Sequence, residues 1–335
     1  MTPAPTPTAP QTPEKARPVV TIAIPTYNRS HFVVRAIQSV LSQAYHDLQL
    51  VVSDNASDDD TVARIAQIQD HRLLLIRQPQ NFGYLRNLNT CLENAKGELF
   101  VMLSDDDVLE PTFVERLSQP FIEGFDGQSA GSIGMSWCPC LITNENGQPL
   151  WTTEAGPRLE SSASMIAALF SGKRGPRFCS IMIRTADAIV VGGYDARHGP
   201  LCDTGNWARV ALHYQYAACI REPLARYTMH SGSHTSNSTC QEWQELGRVL
   251  GNDLLRIVQS RNDSAAEELL IKANRNNISN LTLTVLMQVI GTRRGLIYLF
   301  RELIRAPRYL LNAFVARRIL QDGWKIVRLR PRAAR

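Results

Sequence analysis

Between Val19 and Asp105 short aliphatic and β-branched runs alternate with amphipathic helical patterns, and this rhythm constrains the fold more than any other feature. VVTIAI (19–24) is an apolar run closed by Pro25, as a buried parallel strand would be. Ser30 is placed to cap a helix in which Val33, Val34, Ile37, Val40 and Leu41 recur at helical spacing. LQLVVSD (48–54), RLLLIRQ (72–78) and ELFVMLSD (98–105) read as further strands. Helices follow through Val62, Ile65 and Ile68, and from Leu85 to Ala95. Strand and helix alternating in this way predict an α/β fold: a mostly parallel, Rossmann-like sheet with right-handed crossovers and helices on both faces.

Ligands of such sheets bind beyond the carboxyl ends of the strands. Those ends read PTYNR, SDNASDDD, QPQNFG and SDDD, which are polar, and two of them hold carboxylate clusters. Asp105, Asp106 and Asp107 repel one another, and a divalent cation relieves that repulsion; manganese and magnesium favour oxygen donors. A solvated acidic turn is the competing account of three adjacent aspartates, but the strand-end position favours a cation. Asp58 to Asp60 precede a helix and are explained by its N-terminal dipole. Asp54, at the strand end itself, is placed to accept a hydrogen bond from a pyrimidine N–H.

Beyond Pro111 the pattern weakens. IGMSWC (133–138) and FCSIMIR (178–184) read as strands, GGYD (192–195) as a tight turn, and Asp203 to Tyr216 as a helix. After Cys240 the chain reads as mainly helical to its end. Residues 1–18, rich in Pro, Thr and Ala, read as a disordered leader.

Val20 to Arg29, VVSDNASDD, NFGYLRN (81–87) and LSDDDVLEP together resemble the nucleotide-sugar domain of family 2 glycosyltransferases with the GT-A fold. Weaker matches carry the likeness to about residue 235, outside the leader and the last hundred residues. The resemblance implies a GT-A domain over 19–239, with a nucleotide-binding half (19–110) and an acceptor half (111–239), followed by a helical region (240–335). It implies that Pro25, Thr26, Tyr27 and Arg29 line the nucleotide pocket, that Asp54 holds the base, and that Arg86 lies near base or phosphates. Asp105 or Asp106 would bind the ribose, and Asp107 would ligate Mn2+ or Mg2+ bridging the diphosphate. Ser104 stands where the commoner form of this motif has an aspartate, so the division of roles among the three stays open.

Gly192 to Asp195 and Asp203-Thr-Gly-Asn-Trp-Ala-Arg209 are similar to the family's GGxD and ED-x-x-L-W-x-R segments, in which the aspartate of the pair is the catalytic base. Asp203 matches it, with Cys202 in place of the acidic neighbour and Asn206 in place of the leucine. A sugar hydroxyl needs such a carboxylate to take its proton. The competing accounts are a helix-capping role for Asp203 and Asp195 as the base. Tyr227 to Thr235 resembles the family's Y-x-x-H-x-x-S-x-T stretch, which implies that His230 completes the metal shell or meets a phosphate. The sequence lacks QxxRW, GxGxRL, GxGxxG and GxxxxGK[ST], which speaks against processive synthases, nucleotidyltransferases, dinucleotide folds and P-loops.

Composition sets the remaining bounds. With 44% hydrophobic and 20% charged residues the chain is of ordinary globular type. No apolar run reaches the roughly 18–20 residues of a membrane span, and no secretory signal opens the chain. Seven cysteines without CxxC spacing fit a reducing cytoplasm. The net charge of +5 conceals an asymmetry: residues 293–335 hold twelve Arg and Lys against Glu302 and Asp322, so the remainder carries −5. Arginines interleaved with Leu, Phe and Trp, broken by Pro307, suit an anionic membrane surface. RNA binding and a helical subdomain packed on the body compete with that account, and nucleic acid is not the expected partner.

The expectation is a cytoplasmic protein at the inner face of the cell membrane. It would move one hexosyl or deoxyhexosyl unit from a nucleotide diphosphate sugar to a saccharide or lipid-linked saccharide acceptor, with inversion, in cell-surface polysaccharide assembly. A non-catalytic nucleotide-sugar binding protein is the alternative, because the neighbours of Asp203 are substituted.

Overall fold

The computed structural model describes residues 18–172, 176–230, 239–289, 302 and 304–310. Its first part runs β1 (Val20–Thr26), α1 (Ser30–Leu41), β2 (Leu48–Asp54), α2 (Thr61–Ile65), β3 (Leu73–Arg77), α3 (Tyr84–Glu93) and β4 (Leu99–Met102). These four strands pair in parallel in the order β3-β2-β1-β4. Pro25 does not close β1, which runs on to Thr26 and keeps register with β2, Pro25 opposite Ser53. Pairing with β4 has ended at Met102, so the missing proline N–H faces a side with no ladder to lose. Ser30 is not the cap of α1 but its first residue; Arg29 takes the cap position without a side-chain bond.

The second part begins with β5 (Val108–Leu109), α4 (Phe113–Ile122), β6 (Ile133–Trp137), β7 (Cys140–Asn144), β8 (Pro149–Thr152), β9 (Leu159–Ser161) and α5 (Ser162–Phe170). It continues through β10 (Ile181–Arg184), α6 (Thr185–Val190), α7 (Cys202–Leu212), β11 (Tyr216–Cys219) and β12 (Ala225–Met229). The main sheet has the order β3-β2-β1-β4-β10-β6-β11-β9, with β10 antiparallel to both neighbours. A smaller sheet, β5-β12-β7-β8, lies beside it. Two expected elements are shorter than their apolar runs. Residues 178–180 form a tight 3-10 turn before β10, and the helix expected to reach Tyr216 ends at Leu212, where the chain turns into β11.

Both faces of the sheet are covered, which is why its strands read as continuous apolar runs. Ile22, Ile24, Leu50, Val52 and Val101 pack with Val33, Ile37 and Val40 of α1 and Phe113 and Leu117 of α4. On the opposite face Ala23, Val51, Phe100 and Met102 join Leu88 and Cys91 of α3, Trp207 of α7 and Trp243, Leu250 and Leu254 of α8 (Cys240–Ser260). Helix α9 (Ser264–Val289) adds Leu270 and Ala273 to that cluster, so the first two C-terminal helices share the core of the sheet. All seven cysteines are buried thiols. Among the described residues no helix is long and apolar enough to cross a membrane. The leader and most of the basic segment 293–335 lie outside the described residues.

Candidate functional site

The loops after β1, β2 and β3 are laced together by asparagines. Asn28, in the left-handed region at φ 53°, donates its backbone N–H to the Ser57 hydroxyl at 2.9 Å and accepts from the Asp58 N–H at 3.0 Å. Asn55 donates to Asn81 Oδ1 at 2.8 Å and accepts from the Phe82 N–H at 3.0 Å. Asn87 is buried beneath them, donating to the Ser53 carbonyl at 3.0 Å and accepting from the Ser53 hydroxyl at 2.6 Å. Sequence reasoning passed over these asparagines although they stand inside the PTYNR, SDNAS and NFGYLRN motifs.

Asp54 is fully buried at the end of β2, and its carboxylate accepts the Ser57 N–H at 3.1 Å. Pro25 is buried, Tyr27 stands exposed on the rim and Arg29 is half-buried. Asp59 accepts the Thr61 N–H at 2.9 Å at the start of α2, as the helix-terminus account requires. Arg86, in the first turn of α3, pairs with Glu93 two turns further along, both side chains about half exposed. Its place in the motif concealed that a partner lay within reach along the helix.

The acidic loop after β4 splits its three carboxylates. Asp105 accepts the Thr26 hydroxyl at 2.8 Å, tying the ends of β1 and β4. Burial, then the charge of Asp106, pushes its carboxyl up to about 7, against the opposing pull of Thr26 and Arg29. Asp107, expected to hold the metal, is turned inward: it is wholly buried, and its Oδ1 accepts the Thr228 N–H of β12 at 2.9 Å. Burial and the neighbouring Asp106 hold it well above the ordinary carboxylate range. Asp106 faces the other way, with Oδ2 2.7 Å from His230 Nε2. The segment is a turn closed by the Asp107 N–H on the Ser104 carbonyl at 3.1 Å, and it leaves Asp105 and Asp107 buried while Ser104 and Asp106 are partly exposed.

Asp203 is the second residue of α7, not its cap, and accepts the N–H of Thr204. Burial raises its carboxyl above 3.8. The phenol of Tyr84, at the start of α3, is raised first by burial, then by the charge of Asp203, with Asp105 a lesser contributor. The glycine turn is clamped from two sides. Asn89 bonds both the N–H and the carbonyl of Tyr194, at 2.9 and 3.0 Å. Gly193 has φ 61°, and a Cβ there would stand 2.6 Å from Asn89 Oδ1, so only glycine fits. Arg209 donates to the carbonyls of Gly205 at 2.8 Å, Gly193 at 2.7 Å and Val191 at 2.5 Å. The arginine of the D-x-x-x-W-x-R segment therefore holds the turn.

Asp195 is a turn residue. It accepts the Arg197 N–H at 2.8 Å, and with His198 and Asp253 forms a second group of metal-type side chains. A guanidinium already supplies the positive charge there, since Arg197 Nη2 lies 2.6 Å from Asp195 and 3.1 Å from Asp253. This cluster fastens the segment before α7 to α8.

A main sheet of this order with carboxylates at its strand ends, and a smaller sheet that brings an imidazole from the end of β12, define a GT-A-type fold. Residues 21–136 match the model of glycosyl transferase family 2. It is 34% identical over 162 residues to a GalNAc(5)-diNAcBac-PP-undecaprenol beta-1,3-glucosyltransferase of Campylobacter jejuni, covering 47% of this chain and 50% of the relative. It is 33% identical over 90 residues to a UDP-Glc:alpha-D-GlcNAc-diphosphoundecaprenol beta-1,3-glucosyltransferase of Escherichia coli, covering 27% and 36%. The chain thus spans half or less of the length of these relatives. Among solved structures it resembles S. aureus TarS 1–349 in complex with UDP-GlcNAc, at TM-score 0.57 and 15% identity over 91% of each chain. A mannosyltransferase of Pyrobaculum calidifontis in complex with GDP-Man and Mn2+ matches at TM-score 0.53 and 16% identity, over 92% of this chain and 88% of the other. At that identity the likeness is one of fold.

Proposed function

We propose that this protein transfers a single sugar, hexosyl or deoxyhexosyl, from a nucleotide diphosphate sugar to an acceptor hydroxyl, with inversion at the anomeric carbon. The observation that carries the proposal is the Asp106–His230 pair in the acidic loop that also holds Asp105. The donor set fits a divalent ion: the carboxylates suit manganese and magnesium, and the imidazole nitrogen tilts the choice toward manganese. Asp106 and His230 would hold it, where the notation of the motif alone pointed to Asp107. When bound, such an ion supplies positive charge against the diphosphate oxygens as the sugar departs.

The chain's own residues do the rest. Asp203 accepts the proton of the acceptor hydroxyl, and its raised proton affinity suits that role. Thr26 and Asp105 meet the ribose, Asp54 and the asparagine-laced loops hold the base, and Pro25, Tyr27 and Arg29 frame the pocket. Arg86, next to Asn87 in the first turn of α3, stands near base or phosphates once it leaves Glu93.

Support for a lipid-linked saccharide acceptor comes from the names of the two undecaprenol-directed relatives. A basic segment at 293–335 facing anionic lipid at the inner surface of the membrane suits such an acceptor. Co-sedimentation with anionic vesicles, against RNA binding, for the full chain and a chain ending at residue 292 tests that part. The central test compares Asp203→Asn with Asp106→Ala. The first should bind UDP with Mn2+ yet lose transfer, and the second should lose metal-dependent binding. Transfer at the wild-type rate by Asp203→Asn would remove the base from the mechanism.

A further inference from the structure

We infer that Phe32 and Arg35 of α1 are positioning residues for the Asp106–His230 pair. The inference rests on the proposed reading of that pair as the metal-holding one. The Phe32 ring stacks on the His230 imidazole, centroids 5.6 Å apart and planes inclined by 22°. Two guanidiniums gather on the same ring: Arg35 Cζ lies 5.7 Å and Arg29 Cζ 6.0 Å from its centroid. Arg35 Nη2 donates to the backbone carbonyl of Asp106 at 2.9 Å and to the Thr228 hydroxyl at 3.3 Å. One side chain therefore spans the two segments, β4–β5 loop and β12, that present Asp106 and His230.

Helix α1 can act as a fixed post because Val33, Ala36, Ile37 and Val40 are wholly buried against the sheet. Phe32 and Arg35 leave it three residues apart, on one face. Arg35 Nε is buried with no partner, an unfavourable arrangement that a solvent-facing arginine would avoid. The chemical consequence follows from the imidazole. Its nitrogen lone pair lies in the ring plane, so a stacked ring fixes the direction in which His230 offers Nε2. The Arg35 bond fixes the backbone from which Asp106 projects. Groups that orient a metal ligand in this way govern affinity without touching the ion.

The test is Mn2+ binding to the full chain in the presence of UDP, followed by electron paramagnetic resonance, with melting temperature measured alongside. Phe32→Ala should weaken Mn2+ binding by about tenfold to a hundredfold at little change in melting temperature. Phe32→Tyr, which keeps the ring face, should restore it. Arg35→Lys retains charge but loses the fork, and should weaken binding by about tenfold. Phe32→Leu keeps most of the volume without the ring face, and gives the same reading if Phe32→Ala folds poorly. Wild-type Mn2+ affinity in Phe32→Leu and Arg35→Lys, with loss in Asp106→Ala, overturns the positioning role and leaves the metal pair standing. Wild-type affinity in Asp106→Ala as well overturns the metal reading, and this inference with it.

Discussion

His230 Nε2 stands 2.7 Å from Asp106 Oδ2, although 124 positions separate the two residues in the chain. The edge of one sheet supplies the carboxylate and the end of a strand in the other supplies the imidazole. A charge-bearing loop and a distant strand end thus make one site, and the neighbouring Asp107 is left with a different task.

That division of labour has a measurable signature. Asp107→Ala leaves the buried Thr228 N–H without an acceptor and should cost about 1–3 kcal/mol of stability. Asp107→Asn keeps an acceptor oxygen for that N–H, so its urea midpoint should lie above that of Asp107→Ala. Asp106→Ala should instead keep its midpoint and lose Mn2+ binding.

The proposed role of Asp203 as the base predicts the acid side of the rate profile. Because burial raises its proton affinity, the proposed transfer rate should fall with decreasing pH at values above the ordinary carboxylate range. Asp203→Asn should lower kcat by about 10²- to 10⁴-fold while UDP affinity with Mn2+ holds. A profile flat down to pH 4 in the wild type would count against Asp203.

Asp105 makes the metal-free protein sensitive to pH. Its folded-state value of about 7 lies above the 3.8 of an ordinary aspartate, so the native state binds more protons between those values. Stability should therefore fall as pH rises from 4 to 7, by at most about 4 kcal/mol. Urea titrations in EDTA at pH 5 and pH 8 measure the difference, and Asp105→Asn should reduce it, with the buried Asp107 and Asp203 supplying the remainder. Thr26→Val removes the donor that favours the charged form and should steepen the fall.

Arg209 is tested by its closest replacement. Lysine cannot reach three carbonyls with one planar fork, so Arg209→Lys should lose about 2 kcal/mol or more of stability and loosen the Gly193 turn. Denaturation midpoints check the first effect. A stability equal to the wild type would mean that the turn holds without the fork.

The strand–helix rhythm was legible because both faces of the sheet are buried, which turns each strand into an unbroken apolar run. The bounds of β2 follow directly from LQLVVSD. The acidic edge was legible for the same reason, since parallel strands place their carboxyl ends together. What the motif could not carry was orientation. SDDD does not say which aspartate looks inward; that depends on the Thr228 amide, which arrives from a strand more than a hundred residues later. Nor does NFGYLRN say that Arg86 finds Glu93 within reach along its helix. Phe32 and Arg35 gave no signal, being two residues on the polar side of an amphipathic helix. Their meaning depends on the later strand that meets them.

The bond from Thr228 to Asp107 bears on how this protein can be taken apart. The match to the family model stops at residue 136, yet the carboxylate at its most acidic turn depends on an amide from the segment beyond it. A fragment cut there would leave Asp107 buried without its donor and Asp106 without its imidazole. Grafts that aim to exchange sugar preference between such proteins should therefore carry β12 together with the acidic loop, as one transplantable piece.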